Sequence, residues 1–156
     1  MAEETNDLPS AEEFERFLRE SELQRSLVVK SEAAEAYGLR SEGAFGALTT
    51  VCIERAADGR ITMTAMSRGA WSPARRICMA LTTADWGRLQ AALNRADFWA
   101  LPEQHNRFGL DGWDWTIEGR QGARYHASTC WVPDTGTYFD LGRLFLELAG
   151  FEPNEP

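Results

Sequence analysis

The sequence predicts an α+β fold, a single domain on an antiparallel sheet of about five strands with elements in the order α-β-β-β-α-β-β-α. Three observations predict it. Apolar residues alternate with polar ones through 47–82 and 113–131, the period of a half-buried strand. Through 83–101 and 137–149 they recur at three and four residues, the period of an amphipathic helix. Strand segments follow one another across short turns instead of alternating with helices, which argues against a parallel βαβ series. A chain of 156 residues suits one such domain, expected over 10–151 between a disordered 1–9 and a flexible 152–156.

Taken in order, Ser10 reads as a helix N-cap and Glu13 as its capping-box partner, with Phe14, Phe17 and Leu18 on one face of a helix ending near Leu23. The stretch 24–43 gives conflicting signals and reads as irregular: Leu27, Val28 and Val29 suit a strand, whereas 32–37 has helical composition. Val51 and Ile53 then alternate with polar neighbours, Ala57-Asp58-Gly59 turns the chain, and Ile61 and Met63 resume. A three-residue hairpin loop with Gly59 left-handed sets Ile53 opposite Met63 and Val51 opposite Ala65. After a loop at 67–73, Ile77, Met79 and Leu81 make a third strand. Thr83 is the predicted cap of a helix carrying Trp86, Leu89, Leu93 and Ala96 inward, stopped by Pro102. The last helix, about 137–149, places Tyr138, Leu141, Phe145 and Leu148 on one stripe and ends at Gly150.

The second hairpin admits two registers. A two-residue turn at Arg120-Gln121 sets Trp115 opposite His126. A three-residue loop, Arg120-Gln121-Gly122, pairs Ile117 with Tyr125, Trp115 with Ala127 and Trp113 with Thr129. The second keeps aromatic residues together and supplies Gly122 where a left-handed residue is needed, so it is the predicted register. It leaves a polar face of Asp114, Thr116, Glu118, Arg124, His126 and Ser128. Asp111-Gly112-x-x-Trp115-x-Ile117-Glu118-Gly119, then Tyr125-His126, Trp131-x-Pro133 and a Leu-rich terminal helix resemble a pattern in uncharacterised small bacterial proteins. The resemblance spans about 109–150; it implies the fold and a bacterial source, and it brings no activity with it.

Composition narrows the function classes. Net charge is −8, which argues against nucleic acid or an anionic membrane as partner and permits a basic protein. Fifteen Arg stand against the single Lys30, as a GC-rich bacterial genome would produce. The polar N-terminus lacks the apolar run of a signal peptide, and Cys52, Cys78 and Cys130 are scattered, so a cytoplasmic protein with reduced thiols is expected. His105 and His126 show no metal-ligand spacing; no nucleophile elbow and no phosphate loop occur, and no cofactor is expected.

Two regions remain as candidate surfaces for binding another protein. Arg68, Trp71, Arg75 and Arg76 set Arg around Trp in a loop, the composition of a hot spot. Asp111, Trp113, Glu118, His126 and Trp131 crowd the second hairpin. The resulting expectation is a non-enzymatic, protein-binding bacterial domain, most concretely an immunity protein that neutralises a co-produced toxin. The alternatives are a small-molecule hydrolase using Glu118, His126 and Asp111, and a structural or regulatory domain that dimerises through a sheet edge.

Overall fold

The computed structural model describes Ser10, Glu12, Glu13, Arg16 and residues 25–69, 71, 73–106, 112–133 and 135–152. Among these residues, six strands form one antiparallel sheet: β1 (Glu35–Glu42), β2 (Leu48–Arg55), β3 (Ile61–Arg68), β4 (Arg75–Ala80), β5 (Asp114–Gln121) and β6 (Arg124–Trp131). Their order across the sheet is β4-β3-β2-β1-β5-β6. Helices α1 (Thr83–Arg95) and α2 (Gly136–Ala149) pack together on one face. The α+β class is as expected, with one strand more. The helix predicted after Ser10 falls largely outside the described residues, although the reciprocal Ser10–Glu13 capping bonds are formed at 2.8 and 3.2 Å.

The extra strand is β1, and it lies near the centre of the sheet where an irregular segment was predicted. Tyr37 and Leu39 point into the helix-covered core, while Ala36 and Gly38 are buried on the opposite face. With both faces covered, the apolar/polar alternation that marks a half-exposed strand disappears. Residues 25–34 provide that second cover, and Leu27 fits into the space above Gly38, where a methyl would come within 3.0 Å of its Cδ1.

The first hairpin has the predicted register, Ile53 opposite Met63 and Val51 opposite Ala65, with Gly59 at φ 89°. The second does not. Ile117 faces Ser128, Trp115 faces Cys130 and Gln121 faces Arg124, so only Gly122 and Ala123 lie in the turn. Gly122 at φ 59° takes the first central position of a two-residue turn, where a left-handed residue matches the strand twist. This register is offset by an odd number of residues from the predicted one, so the two strands' faces combine differently. His126 and Ser128 join Trp115 and Ile117 on the core side; Tyr125 joins Glu118 on the other.

α1 begins one residue earlier than predicted: Thr82, not Thr83, is the N-cap, in a capping box with Asp85. It ends at Arg95, before Pro102, because Asp97 adopts a left-handed conformation (φ 49°) and the chain tightens into a 3-10 turn at Phe98–Ala100. α2 ends as predicted at Gly150, φ 71°. The core between helices and sheet is aromatic, with Trp115, Tyr37, Phe98 and Phe145 fully buried. Tyr37 contacts Trp86, Phe98 and Trp99 with centroids 5.8–6.3 Å apart. Among the described residues no helix is long and apolar enough to cross a membrane.

Candidate functional site

Antiparallel pairing brings both predicted regions to the same end of the sheet. Glu42 pairs with Leu48 and Asp114, Leu48 with Arg68, Ser67 with Arg75, and Asp114 with Trp131. The end of β3, the start of β4, the start of β5 and the end of β6 therefore lie in one row. Five inter-strand steps of ~4.8 Å make that row roughly 24 Å long, near the width of a standard ~800 Å² interface patch.

The centre of this end is the β1–β2 connection. Gly43 N–H donates to the Ala47 carbonyl (2.9 Å), closing a tight loop, and Phe45 stands at its tip with φ 58° and ψ 29°. A left-handed non-glycine residue costs about 1–2 kcal/mol, so the loop holds Phe45 outward against its own preference. Phe45 is 82% exposed, and its ring lies 6.3 Å from that of Trp71, which is 90% exposed. Arg68 Nη2 donates to the Gly46 carbonyl (3.3 Å) and ties this loop to the end of β3. At its base, a methyl on Gly43 would lie 4.0 Å from Trp113 Cβ. Phe45 escaped the sequence reading. The signal was present in Gly43-Ala-Phe-Gly46, where a large aromatic between glycines in a tight loop cannot reach the core.

The other candidates separate. Arg75 lies on the helix side with its guanidinium 5.9 Å from the Phe151 ring, while Arg76 points to the opposite face. Trp113 is half-buried, 5.2 Å from Trp115. Trp131 closes β6, its N–H donating to Asn106 Oδ1 (2.8 Å) and its carbonyl accepting from Asn106 Nδ2 (2.7 Å). Asp111 lies outside the described residues. Asp114 is half-buried beside Glu42, and burial, followed by that neighbouring charge, raises its pKa.

Glu118 was expected on a solvated face and is 2% exposed. It accepts from Ser26 Oγ (2.6 Å), Tyr125 Oη (3.0 Å) and the Leu27 N–H. Its carboxylate anchors the 25–34 segment to the sheet, because a buried carboxylate must be fully hydrogen-bonded. Burial, then the Glu118 charge, pushes the Tyr125 hydroxyl up to about 12. His126 sits on the other side of the sheet, edge-on to Phe98 at 5.4 Å. Glu118 and His126 thus do not form the carboxylate–histidine pair that the hydrolase alternative needs. Open grooves of about 370 Å³ between α1 and α2, and about 380 Å³ beside Glu32 and Arg60, contain neither residue.

Among the described residues no three His, Cys, Asp or Glu side chains are grouped to hold a metal. Cys52, Cys78 and Cys130 form no disulfide, and burial pushes the Cys52 thiol up to about 12, which keeps it protonated and unreactive. No family model matches the chain, and no curated protein matches it either.

Proposed function

We propose that the chain is a non-enzymatic protein-binding domain that docks through the Phe45–Trp71 end of its sheet, most concretely a bacterial immunity protein that neutralises a co-produced toxin. The observation that carries this reading is the pair of exposed aromatics on two separate loops, their rings tilted by 31° at 6.3 Å, with Arg68 bracing one of them. Large apolar rings held in water are unfavourable unless a partner buries them, and Trp and Arg are the residues that most often dominate binding energy. The net charge of −8 adds attraction for a basic partner.

The test is recovery of a stoichiometric partner from the source cells, followed by Phe45→Ala and Trp71→Ala. Each is expected to weaken binding by at least about 2 kcal/mol, roughly 30-fold, and to leave the thermal unfolding temperature unchanged. Arg88→Ala, on α1 away from this end, serves as the control. Absence of any partner, or a partner indifferent to both aromatic substitutions, overturns the proposal.

A further inference from the structure

The two edges of the sheet are treated differently. Beyond β6, the Thr129 N–H donates to the Glu103 carbonyl (2.8 Å) and the His105 N–H to the Thr129 carbonyl (2.9 Å), so residues 103–105 bridge that edge at Thr129. Among the described residues β4 pairs only with β3, and five of its six residues are exposed. The Leu81 N–H donates to the Ile61 carbonyl (3.0 Å), which fixes the alternation along β4. Arg75, Ile77 and Met79 bond inward to β3, and the N–H and C=O groups of Arg76, Cys78 and Ala80 face outward.

This edge is self-complementary. We infer that β4 pairs antiparallel with β4 of a second copy of the chain, about a two-fold axis at Cys78, joining two six-stranded sheets into one. In that register Arg76 faces Ala80 of the second copy and Cys78 faces its own counterpart, so every outward N–H meets an outward C=O. Ile77 falls opposite Met79 as a close, non-hydrogen-bonded pair on the helix side, covering a methionine that is 45% exposed in the single chain. The arginines go to opposite ends of the joint. A shift that set Arg76 against Arg76 would oppose like charges and lose this apolar pair. Strands exposed at an edge are ordinarily protected by Pro, Lys or a bulge. β4 has none of these, and its two Arg guard one end only.

Light scattering coupled to size exclusion tests the inference directly. The wild-type chain of 17.5 kDa is expected to run at twice that mass, and to dissociate on dilution. Cys78→Pro removes an outward N–H that β3 does not use, and Met79→Lys places a charge in the apolar pair; both are expected to give monomers. Far-UV circular dichroism of both variants checks that the fold is retained, and Met79→Lys stands if the proline variant does not fold. A wild-type chain that stays monomeric up to millimolar concentration overturns the inference. So does a dimer that survives Met79→Lys, or one broken by Trp71→Ala and not by the β4 substitutions.

Discussion

Gly87 and Gly142 both occupy helix interiors, where glycine costs up to about 1 kcal/mol relative to alanine. Their surroundings differ completely. A methyl on Gly87 would meet nothing within 4 Å, whereas one on Gly142 would sit 2.2 Å from Trp115 Cζ3. Trp115 is fully buried and stacks on Phe139 at 5.5 Å, so it has no room to move aside. Gly87→Ala is therefore expected to stabilise the protein by about 0.5–1 kcal/mol. Gly142→Ala should destabilise it by about 1–3 kcal/mol through overpacking. Urea unfolding of the two variants reads both signs, and equal shifts in the same direction would show that Gly142 is not the notch for Trp115. Sequence alone gives one answer for both glycines, since helix propensity is local and the indole arrives from β5.

At the scale of elements, the best-predicted pieces are those whose turn chemistry is local. Gly59 sets the β2–β3 register, and Gly150 ends α2. β1 was illegible because its partners come from both sides and from distant sequence. The segment covering it is held by Arg120, whose guanidinium donates to the carbonyls of Val28 (3.1 Å), Ser31 (2.7 Å), Ala33 (2.6 Å) and Gly122 (3.2 Å). A lysine ammonium cannot span four acceptors in that fork geometry. Arg120→Lys is expected to cost about 1.5–3 kcal/mol locally, and to speed amide exchange across 26–34 roughly 10- to 100-fold. If exchange there is unchanged, Arg120 is not the clamp. The second hairpin failed for a related reason: the predicted register rewarded grouping the aromatics, but Tyr125 belongs with Glu118 and Ser26, a pairing set by the 25–34 cover.

For the whole molecule, stability against pH follows from buried groups that neutralise. His105 lies edge-on to Tyr138 at 4.5 Å, its Nε2 is buried without a hydrogen-bond partner among the described residues, and burial lowers its pKa below the ordinary 6.5. The unfolded chain therefore binds a proton at His105 more readily than the folded one. Stability is unaffected above about 6.5 and falls as the pH drops through that value toward the lower folded pKa. Asp114 acts in the opposite sense at lower pH: its raised pKa lets the folded chain take up a proton first, which relieves a cost as the pH falls toward 3.8. His105→Phe keeps the ring on Tyr138 and removes the titration. Its unfolding free energy is expected to change less than that of the wild type between neutral pH and about pH 5.5. A wild-type profile that is flat over this range would refute a penalty at His105.

The candidate site shows the same division of information. Trp71 and Arg68 could be singled out from composition, because an Arg-rich loop around a Trp has few structural uses. That they lie at the same end of the sheet as Trp113 and Trp131 could not, since 42 positions separate Trp71 from Trp113 and only the sheet order joins them. By itself the sequence determined what depends on neighbours along the chain: the α+β class, the Gly150 end of the last helix, the first hairpin and the lack of a recognisable catalytic motif. Tertiary structure decided the central strand, the second hairpin's register, the burial of Glu118 and the common end on which two distant segments meet. The physical reason is that periodicity and turn chemistry act over a few residues, whereas register and burial are set by whichever distant surface covers each face.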